Sequence, residues 1–220
     1  MNVKPDIFTA DQLEKAVFVT LPVDLLKAAL VCCSTEETRY YLNGVCIQPS
    51  GHIVSTDGHR LFAGRLLGPW VEEDIIIPLA TIKKALTGYK GTEIDLSDWR
   101  KAGRPCSLGD ITFTPVDGTF PDWKRILPTG EGREYTPDPD RPEDAPGRIQ
   151  FNPAYYGDLA KISKVLTGSP TSIHVHVWTA SSPAGVSFAG RDDVLCVLMP
   201  IRSNHGAWAE TLNAVVPNRT

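Results

Sequence analysis

Three segments of the chain repeat one pattern of apolar and polar positions. They are 21–30, 77–86 and 151–166, and each has a proline near its start and apolar residues at helical spacing after it. Apolar residues at i, i+4 and i+8 form one buried stripe on a helix, and proline suits the first helical turn because the N–H it lacks would be unpaired there. Asn152 is a good N-cap for the third segment, while Gly88 and Gly168 are plausible stops. Three amphipathic helices are therefore predicted.

Short runs with strand character follow each predicted helix, separated by turn pairs such as Ser50-Gly51, Asp57-Gly58 and Asp117-Gly118. The runs are 40–47, 52–55 and 61–65 after the first helix, 92–96, 105–108 and 111–115 after the second, and 173–179, 185–189 and 194–199 after the third. The chain thus reads as three repeated βαβββ units. Antiparallel sheets with helices on one face predict an α+β fold.

One segment interrupts this pattern. Residues 129–147 contain four prolines, three glycines and six acidic residues without apolar periodicity, which is typical of a linker or a long mobile loop. The alternative for its acids is a calcium loop, but the regular Asp/Asn spacing of such a loop is absent.

Composition narrows the class of protein. The 220 residues are 42% hydrophobic and 22% charged, which is close to the globular average and argues against wholesale disorder. Lys+Arg is 22 and Asp+Glu is 26, giving a net charge of −4. This charge argues against a protein that coats nucleic acid with its whole surface, whereas a local basic stripe is compatible with it.

The location expected from the sequence is the cytoplasm. No apolar run in the chain reaches the roughly 18 residues that span a bilayer, and the first residues lack a basic-then-apolar signal pattern. The five cysteines are odd in number and form no CxxC pair, which favours reduced, mostly buried thiols.

Four blocks in the chain resemble one family. They are TRYYLNG with STDGHRL (38–44 and 55–61), VDGTFPDWKRILP (116–128), FNPAYYGDLAKI (151–162) and VLMPIR (197–202). In this order they resemble the central and last domains of the bacterial DNA polymerase III beta subunit, the sliding clamp. The resemblance implies the DNA-clamp fold, with a complete clamp domain at 1–128, a linker at 129–147, half of a clamp domain at 148–203 and a tail at 204–220.

The resemblance also implies a function without catalysis or cofactors, as an accessory protein of DNA replication or repair that docks polymerases or repair proteins through a short peptide. The alternative is a regulator or decoy that never loads on DNA and competes with a full-length clamp for those peptides. The family's first domain and half of its last domain have no counterpart in this sequence, so closure of a ring by the family's usual route is in doubt.

The peptide site that the resemblance implies draws on the first unit, on the segment that leaves the second unit and on the end of the third. Its residues are Leu42, Thr56, Gly58, His59, Arg60, Leu61, Pro121, Arg125, Ile126, Val197, Met199, Pro200, Ile201 and Arg202. The apolar members would form an adaptable floor, and the arginines would bind acidic or amide groups. The alternative is that these side chains only pack the seam between domains.

A DNA-facing surface is implied on the three equivalent helices, where contacts would reach phosphates without reading sequence. Its residues are Lys27, Lys83, Lys84, Lys161 and Lys164 on the helices, with Arg39, Tyr40 and Tyr41 beside them. Lysines on a solvated helix face and a tyrosine pair that packs a sheet are the simpler alternative. Duplex DNA is therefore a possible, sequence-independent partner.

Other chemistry has weaker support. Asp57 and His59 lie two residues apart near Ser55, but nothing in the sequence orients a nucleophile toward such a pair. His174 and His176 alternate along a strand and would share a face, yet a third zinc ligand is not evident. No glycine-rich phosphate loop occurs, and the scattered tryptophans, Trp123 among them, read as packing.

Self-association is the last expectation. A half domain leaves strand edges and an apolar face uncovered, so a second copy could cover them. The tail at 203–220, which contains Trp208, Leu212, Val215 and Val216, is the alternative cover.

Overall fold

The computed structural model describes residues 18–68, 71–98, 105–127, 149–170, 172–177 and 182–201. The strands are β1 Phe18–Pro22, β2 Gly44–Gln48, β3 His52–Thr56, β4 Arg60–Arg65, β5 Ile75–Pro78, β6 Glu93–Ser97, β7 Cys106–Leu108, β8 Ile111–Phe113, β9 Ile173–His176, β10 Ala184–Phe188 and β11 Arg191–Leu198. The α-helices are α1 Val23–Leu30, α2 Leu79–Leu86 and α3 Pro153–Thr167. Two 3-10 helices span Glu37–Leu42 and Trp123–Ile126.

The first two units exchange their leading strands. β1 pairs with β6 of the second unit in a four-stranded antiparallel sheet of order β1-β6-β7-β8. In return, β5 pairs with β2 of the first unit, at one end of a seven-stranded sheet of order β5-β2-β3-β4-β11-β10-β9. Because each unit completes the other's sheet, the two form one interlocked domain.

The three predicted helices form. Pro22 and Pro78 close strands β1 and β5, and the helices start at the next residue. The N-cap predicted for α3 is present, since the Asn152 side chain accepts a hydrogen bond from the Ala154 N–H at 3.0 Å. Gly168 ends α3 with φ 79°, a conformation that glycine adopts without strain.

The main core lies between the two sheets and the three helices. It is formed by the inward-facing residues of the strands together with the buried stripes of all three helices, for example Leu26, Ile82 and Ile162. The third unit therefore shares its core with the first two instead of folding as a separate body.

The outer face of the seven-stranded sheet carries a second apolar cluster. It includes Cys46, Val54 and Ala63 from the strands and Phe120 and Trp123 from the segment that leaves the second unit. Residues 114–127 thus cover the face of β2, β3 and β4 that the helices do not. This explains why these strands are buried on both sides.

The junction between the domain and the third unit is a continuous sheet. β4 pairs with β11 in antiparallel register, with Leu61 opposite Val197 and Phe62 opposite Cys196. On the helical side, α1 lies against α3. Both layers of the fold therefore continue across the junction.

Two local features differ from the sequence prediction. Residues 40–42 were expected to begin a strand, but they end a 3-10 helix closed by bonds from Asn43, whose side-chain amide donates to Glu36 O at 2.9 Å and whose N–H donates to Tyr40 O at 3.0 Å. The third unit has no leading strand among the described residues, since residues 149–152, which precede its helix, are not in a strand. The predicted linker at 129–147 and the tail after residue 201 lie outside the described residues.

Candidate functional site

A cavity of about 170 Å³ opens where β4, β11 and the segment leaving the second unit meet. Three stretches of chain that are distant in sequence line it. The lining residues are Leu42, Thr56, Gly58, Arg60, Leu61, Pro121, Asp122, Trp123, Ile126, Val197 and Met199. Most of the residues expected from the sequence are thereby brought to one place, from all three segments named for the site.

The floor of the cavity is apolar and rigid. Leu42, Leu61 and Val197 are buried members of the outer cluster, and the β4–β11 ladder places Leu61 directly opposite Val197. Ile126 and Met199 are only partly buried and lie closer to the opening. The floor is therefore set by sheet pairing, while the side chains at the rim can adjust.

The turn at 56–60 forms one wall and is closed by its own hydrogen bonds. The Asp57 carboxylate accepts from the N–H groups of His59 at 2.9 Å and Arg60 at 3.0 Å. Gly58 has φ 89°, and a Cβ there would lie 2.7 Å from a guanidinium nitrogen of Arg39. The Met199 N–H donates to His59 O at 2.8 Å, so the turn also holds the rim residue of the third unit.

The Arg60 guanidinium lies in the seam between the domain and α3. It bonds Asp57 at 3.0 Å and Asp158 of α3, and its charge centre stands 4.8 Å from the centre of the Tyr155 ring. Burial raises the pKa of Asp158, but hydrogen bonds from Lys161 and Arg60 outweigh it and lower that pKa overall. Arg60 was expected to bind a ligand's acidic groups, whereas the structure engages it with two carboxylates of the chain itself.

Aromatic residues extend the rim beyond the cavity. The His59 ring is exposed and stacks on Tyr155, with 6.4 Å between ring centres and 20° between planes. Trp123 is buried and its indole N–H donates to Gln48 at 2.8 Å. Trp123, Asp122 and Tyr155 were not identified from the sequence as site residues. The one signal for them was the position of Trp123 between Pro121 and Arg125, which were identified.

Several expected peptide-site residues lie outside the lining of the cavity. They are His59, Arg125, Pro200 and Ile201, while Arg202 falls beyond the described residues. Arg125 is exposed on the short 3-10 helix at 123–126, and Ile201 is 46% exposed. The described members of this group are therefore not part of the cavity lining.

The five lysines expected to face DNA are all exposed on the three helices. Lys27 and Lys164 line one open groove of about 600 Å³ between α1 and α3, together with Asp24 and Glu93. Lys161 is paired with Asp158 at 2.7 Å. The groove is therefore of mixed charge and not a purely basic stripe.

The other three residues expected to contact DNA lie on the 3-10 helix at 37–42. They are Arg39, Tyr40 and Tyr41. Arg39 pairs with Glu36 at 3.4 Å. Tyr40 is 55% exposed and meets Tyr41 edge to face, with ring centres 5.8 Å apart. Tyr40 thus presents an open ring, which is what a DNA-contacting residue requires.

The side chains considered for catalysis or metal binding are not arranged for either role. The Asp57 carboxylate caps its own turn, and the buried Ser55 hydroxyl donates to Ala29 O at 2.6 Å. His174 and His176 share the exposed face of β9 with ring centres 6.5 Å apart. Within the described residues, no group of three or more His, Cys, Asp and Glu side chains could hold a metal ion.

All five cysteines are free and buried. Burial raises the pKa of the Cys33 and Cys46 thiols well above the ordinary value. These thiols are therefore protonated packing residues. Across the described ranges, no helix combines the length and apolar character that crossing a membrane requires.

Comparisons with known proteins agree with this geometry. A curated beta sliding clamp of Pseudomonas putida is 34% identical over 118 residues, which is 48% of this chain and 31% of that protein. The chain is therefore similar to bacterial beta sliding clamps over about half of its own length. It spans about a third of the length of the relatives it matches, and no family model matches it.

Solved sliding clamps share the fold. The Caulobacter crescentus polymerase III beta structure superposes with a TM-score of 0.65 at 23% identity, covering 86% of this chain and 66% of that one. The clamp of Bartonella birtlesii bound to griselimycin gives a TM-score of 0.62 at 25% identity, covering 86% and 67%. The clamp fold predicted from the sequence is thereby confirmed.

Proposed function

We propose that this protein is a clamp-type accessory protein of DNA replication or repair, without catalytic activity, that docks a short peptide of a polymerase or repair partner at the junction cavity. The observation that supports this most is the composition of the cavity: three separate stretches of chain contribute an apolar lining to one opening. A seam that served packing alone would close over such residues, because buried voids cost stability.

The size of the cavity matches side-chain anchors. Its volume of about 170 Å³ is below the roughly 300–1,000 Å³ of pockets that enclose whole small molecules. A peptide would insert one or a few apolar side chains and lay the rest across the rim. Met199 and Ile126 give that rim a flexible apolar edge.

Exposed cations near the opening would favour a peptide with acidic groups or a free carboxylate. Arg125 and Lys124 are exposed on the 3-10 helix at 123–126, whereas Arg60 is already engaged by Asp57 and Asp158. Rim charges of this kind affect association rate and salt dependence more than affinity.

The test is a titration of a fluorescein-labelled clamp-binding peptide from a bacterial DNA polymerase, followed by anisotropy. Met199→Ala removes an anchor contact at the opening and should weaken binding by about 1–3 kcal/mol, or roughly 5- to 150-fold. Leu67→Ala, at a side chain that is 87% exposed and away from the lining, is the matched control and should bind as the wild type does. Equal affinity of all three proteins would exclude the proposed site.

Griselimycin offers an independent probe, because a solved clamp of the family is bound to it. If the cavity of this chain docks ligands as proposed, griselimycin should displace the labelled peptide from the wild type. Displacement should be weaker in Met199→Ala than in Leu67→Ala.

A second candidate function is the non-loading regulator that competes with a full-length clamp for partner peptides. It is favoured by the mixed charge of the helix groove, where Asp24 and Glu93 stand beside Lys27 and Lys164. Retention on circular and linear duplex DNA separates the two functions. A protein that encircles DNA is retained on circles and lost from linear ends, whereas a competitor is retained on neither. The cytoplasmic location expected from the sequence stays a prediction.

A further inference from the structure

The third unit lacks the leading strand that each of the first two units receives from the other. In the complete domain, the strand that follows each helix is flanked by the other unit's leading strand: β6 by β1, and β2 by β5. The corresponding strand of the third unit is β9, which ends the seven-stranded sheet. Among the described residues, no strand occupies its outer edge.

Burial at equivalent positions shows the consequence. The core-facing residues of β2 and β6, Val45, Ile47, Ile94 and Leu96, are at most 3% exposed. The core-facing residues of β9, Ile173 and Val175, are only partly buried. The sheet of the third unit therefore stops one strand short of a closed core.

The backbone of β9 is oriented for one more strand. Ser172 O accepts from the Ala189 N–H at 3.0 Å, so the alternation of an antiparallel ladder turns the N–H and C=O groups of Ile173 and Val175 to the outer edge. The complete domain shows the same alternation of inward-facing and outward-facing backbone groups. Val23 N–H donates to Thr92 O at 2.9 Å and Leu79 N–H donates to Asn43 O at 2.9 Å, which directs the equivalent strand positions to the leading strands.

The chain also contains an unused leading segment. Residues 149–152 precede α3 as Phe18–Pro22 precedes α1 and Ile75–Pro78 precedes α2, yet they form no strand. Gln150 O accepts from the Ile201 N–H at 2.7 Å on one side. The backbone groups of Ile149 and Phe151 consequently point to the opposite side, away from that bond.

We propose that two copies of this chain form a symmetric dimer in which residues 149–152 of each copy pair antiparallel with β9 of the other. Counting from the first residue of each helix, Phe151 is equivalent to Leu21 and Ile77, and Ile149 to Val19 and Ile75. The internal pairs Leu21–Ile94 and Ile77–Val45 then predict Phe151 opposite the partner's Ile173. The pairs Val19–Leu96 and Ile75–Ile47 likewise predict Ile149 opposite the partner's Val175.

This register puts apolar residues on the core side of both strands. It also places Gln150 opposite the partner's His174 on the solvent side. Exposed apolar side chains of the third unit would be covered as well, since Val177 directly follows β9 and Tyr156, whose ring is 5.7 Å from that of Phe151, adjoins the leading segment. The two third units together would form one complete clamp domain flanked by the complete domain of each copy.

Sedimentation of the full chain at micromolar concentrations tests the proposal. The wild type should be a dimer. Val175→Pro removes one hydrogen bond from each of the two equivalent ladders and should weaken dimerisation by about tenfold or more. Proline is tolerated in an edge strand whose N–H faces outward, so the circular dichroism of the variant should match that of the wild type. Val175→Thr keeps the N–H and the side-chain shape and should remain dimeric.

A cross-link identifies the paired residues without relying on affinity. The double variant Gln150→Cys, His174→Cys should give a covalent dimer under oxidation, and each single variant should not. A monomeric wild type would show that the edge is covered by another segment, such as 203–220, and would overturn the proposal. So would a dimer that neither responds to Val175→Pro nor yields the cross-link. Peptide docking is measured separately, so its failure would leave this result standing.

Discussion

At the residue scale, Arg60 connects the complete domain to the third unit. Its guanidinium bonds Asp57 in the turn and Asp158 on α3, and it lies over Tyr155. Arg60 itself lines the cavity of the proposed peptide site. The charge network therefore ties the turn at 56–60, which forms one wall of the cavity, to α3.

Asp158→Asn tests this network through pH. The pKa of Asp158 is lowered in the folded protein, so the folded state binds this proton less readily than the unfolded chain, whose aspartates titrate near ~3.9. The stability from this carboxylate is fully present above that value and is lost as the pH falls through the folded-state pKa.

We expect Asp158→Asn to lower the free energy of unfolding by about 2 kcal/mol at neutral pH, with the difference from the wild type shrinking below about pH 4. Urea denaturation of both proteins at several pH values measures this difference in the free energy of unfolding. Asp192→Asn, at an exposed position of β11, is the control and should stay within about 0.5 kcal/mol of the wild type. A deficit for Asp158→Asn that did not change with pH would argue against the ion pair as its cause.

Gly58 is the second residue that the turn depends on. Its φ of 89° and the 2.7 Å approach of Arg39 to a Cβ position predict that Gly58→Ala destabilises the fold by about 1–2 kcal/mol. Gly157→Ala is the matched control, because this glycine lies inside α3 with nothing within 4 Å of a Cβ. The control should stabilise by about 0.5–1 kcal/mol. Changes of opposite sign in the free energy of unfolding, measured with denaturant, would support the account. Equal changes in the two variants would contradict it.

At the scale of elements, the β4–β11 ladder makes the third unit part of one body with the domain. β4 has β3 on one side and β11 on the other, and both faces of this part of the sheet are covered. The cavity floor rests on this ladder. If it opened readily, Leu61 and Val197 would separate and the site would be lost.

Hydrogen exchange measures the ladder directly. Amides of β11 that face β4 should exchange as slowly as those of β3, since both lie in the interior of the sheet. Fast exchange throughout β11 beside a slow β3 would show that the junction opens on its own.

Helical elements and the site differ in how far the sequence could predict them. The helices follow from local signals, namely apolar spacing, Asn152 as a cap and Gly168 as a stop. The exchange of β1 and β5 between units could not be predicted, because strand partners are set by contacts distant in sequence. Residues 40–42 of the first 3-10 helix were assigned to a strand, in keeping with the strand propensity of Tyr40 and Tyr41, which the bonds of Asn43 override.

The cavity itself was predictable only through resemblance to a family. Its floor residues came from matched motifs, and no periodicity links Leu42 to Met199. Asp122 and Trp123 were missed because a segment without regular structure gives no signal for which side chains face inward. Arg60 was assigned to ligand binding through the matched motif. Its partner Asp158 is 98 residues away, and only the fold reveals that pairing.

At the scale of the molecule, an acidic chain with a net charge of −4 would depend on local lysines for binding to DNA. Removing one lysine–phosphate pair should reduce the slope of log K against log salt by about 0.9. We therefore expect the double variant Lys27→Ala, Lys164→Ala to bind duplex DNA with a shallower salt dependence. Lys124→Ala, on the opposite side of the sheet from the helices, should keep the wild-type slope. Identical slopes would place the DNA-binding surface elsewhere or exclude it.

The central claim is that a partner peptide enters the cavity at the junction. The chain offers a direct reporter, because it contains two methionines, Met1 and Met199, and Met199 lines the cavity. Labelling the methionine methyl groups with carbon-13 gives two signals, and the signal missing from Met199→Ala belongs to the site. On titration with the polymerase peptide, the account predicts a saturable shift of the Met199 signal with the affinity found by anisotropy. A peptide that binds while the Met199 signal stays unchanged would contradict it.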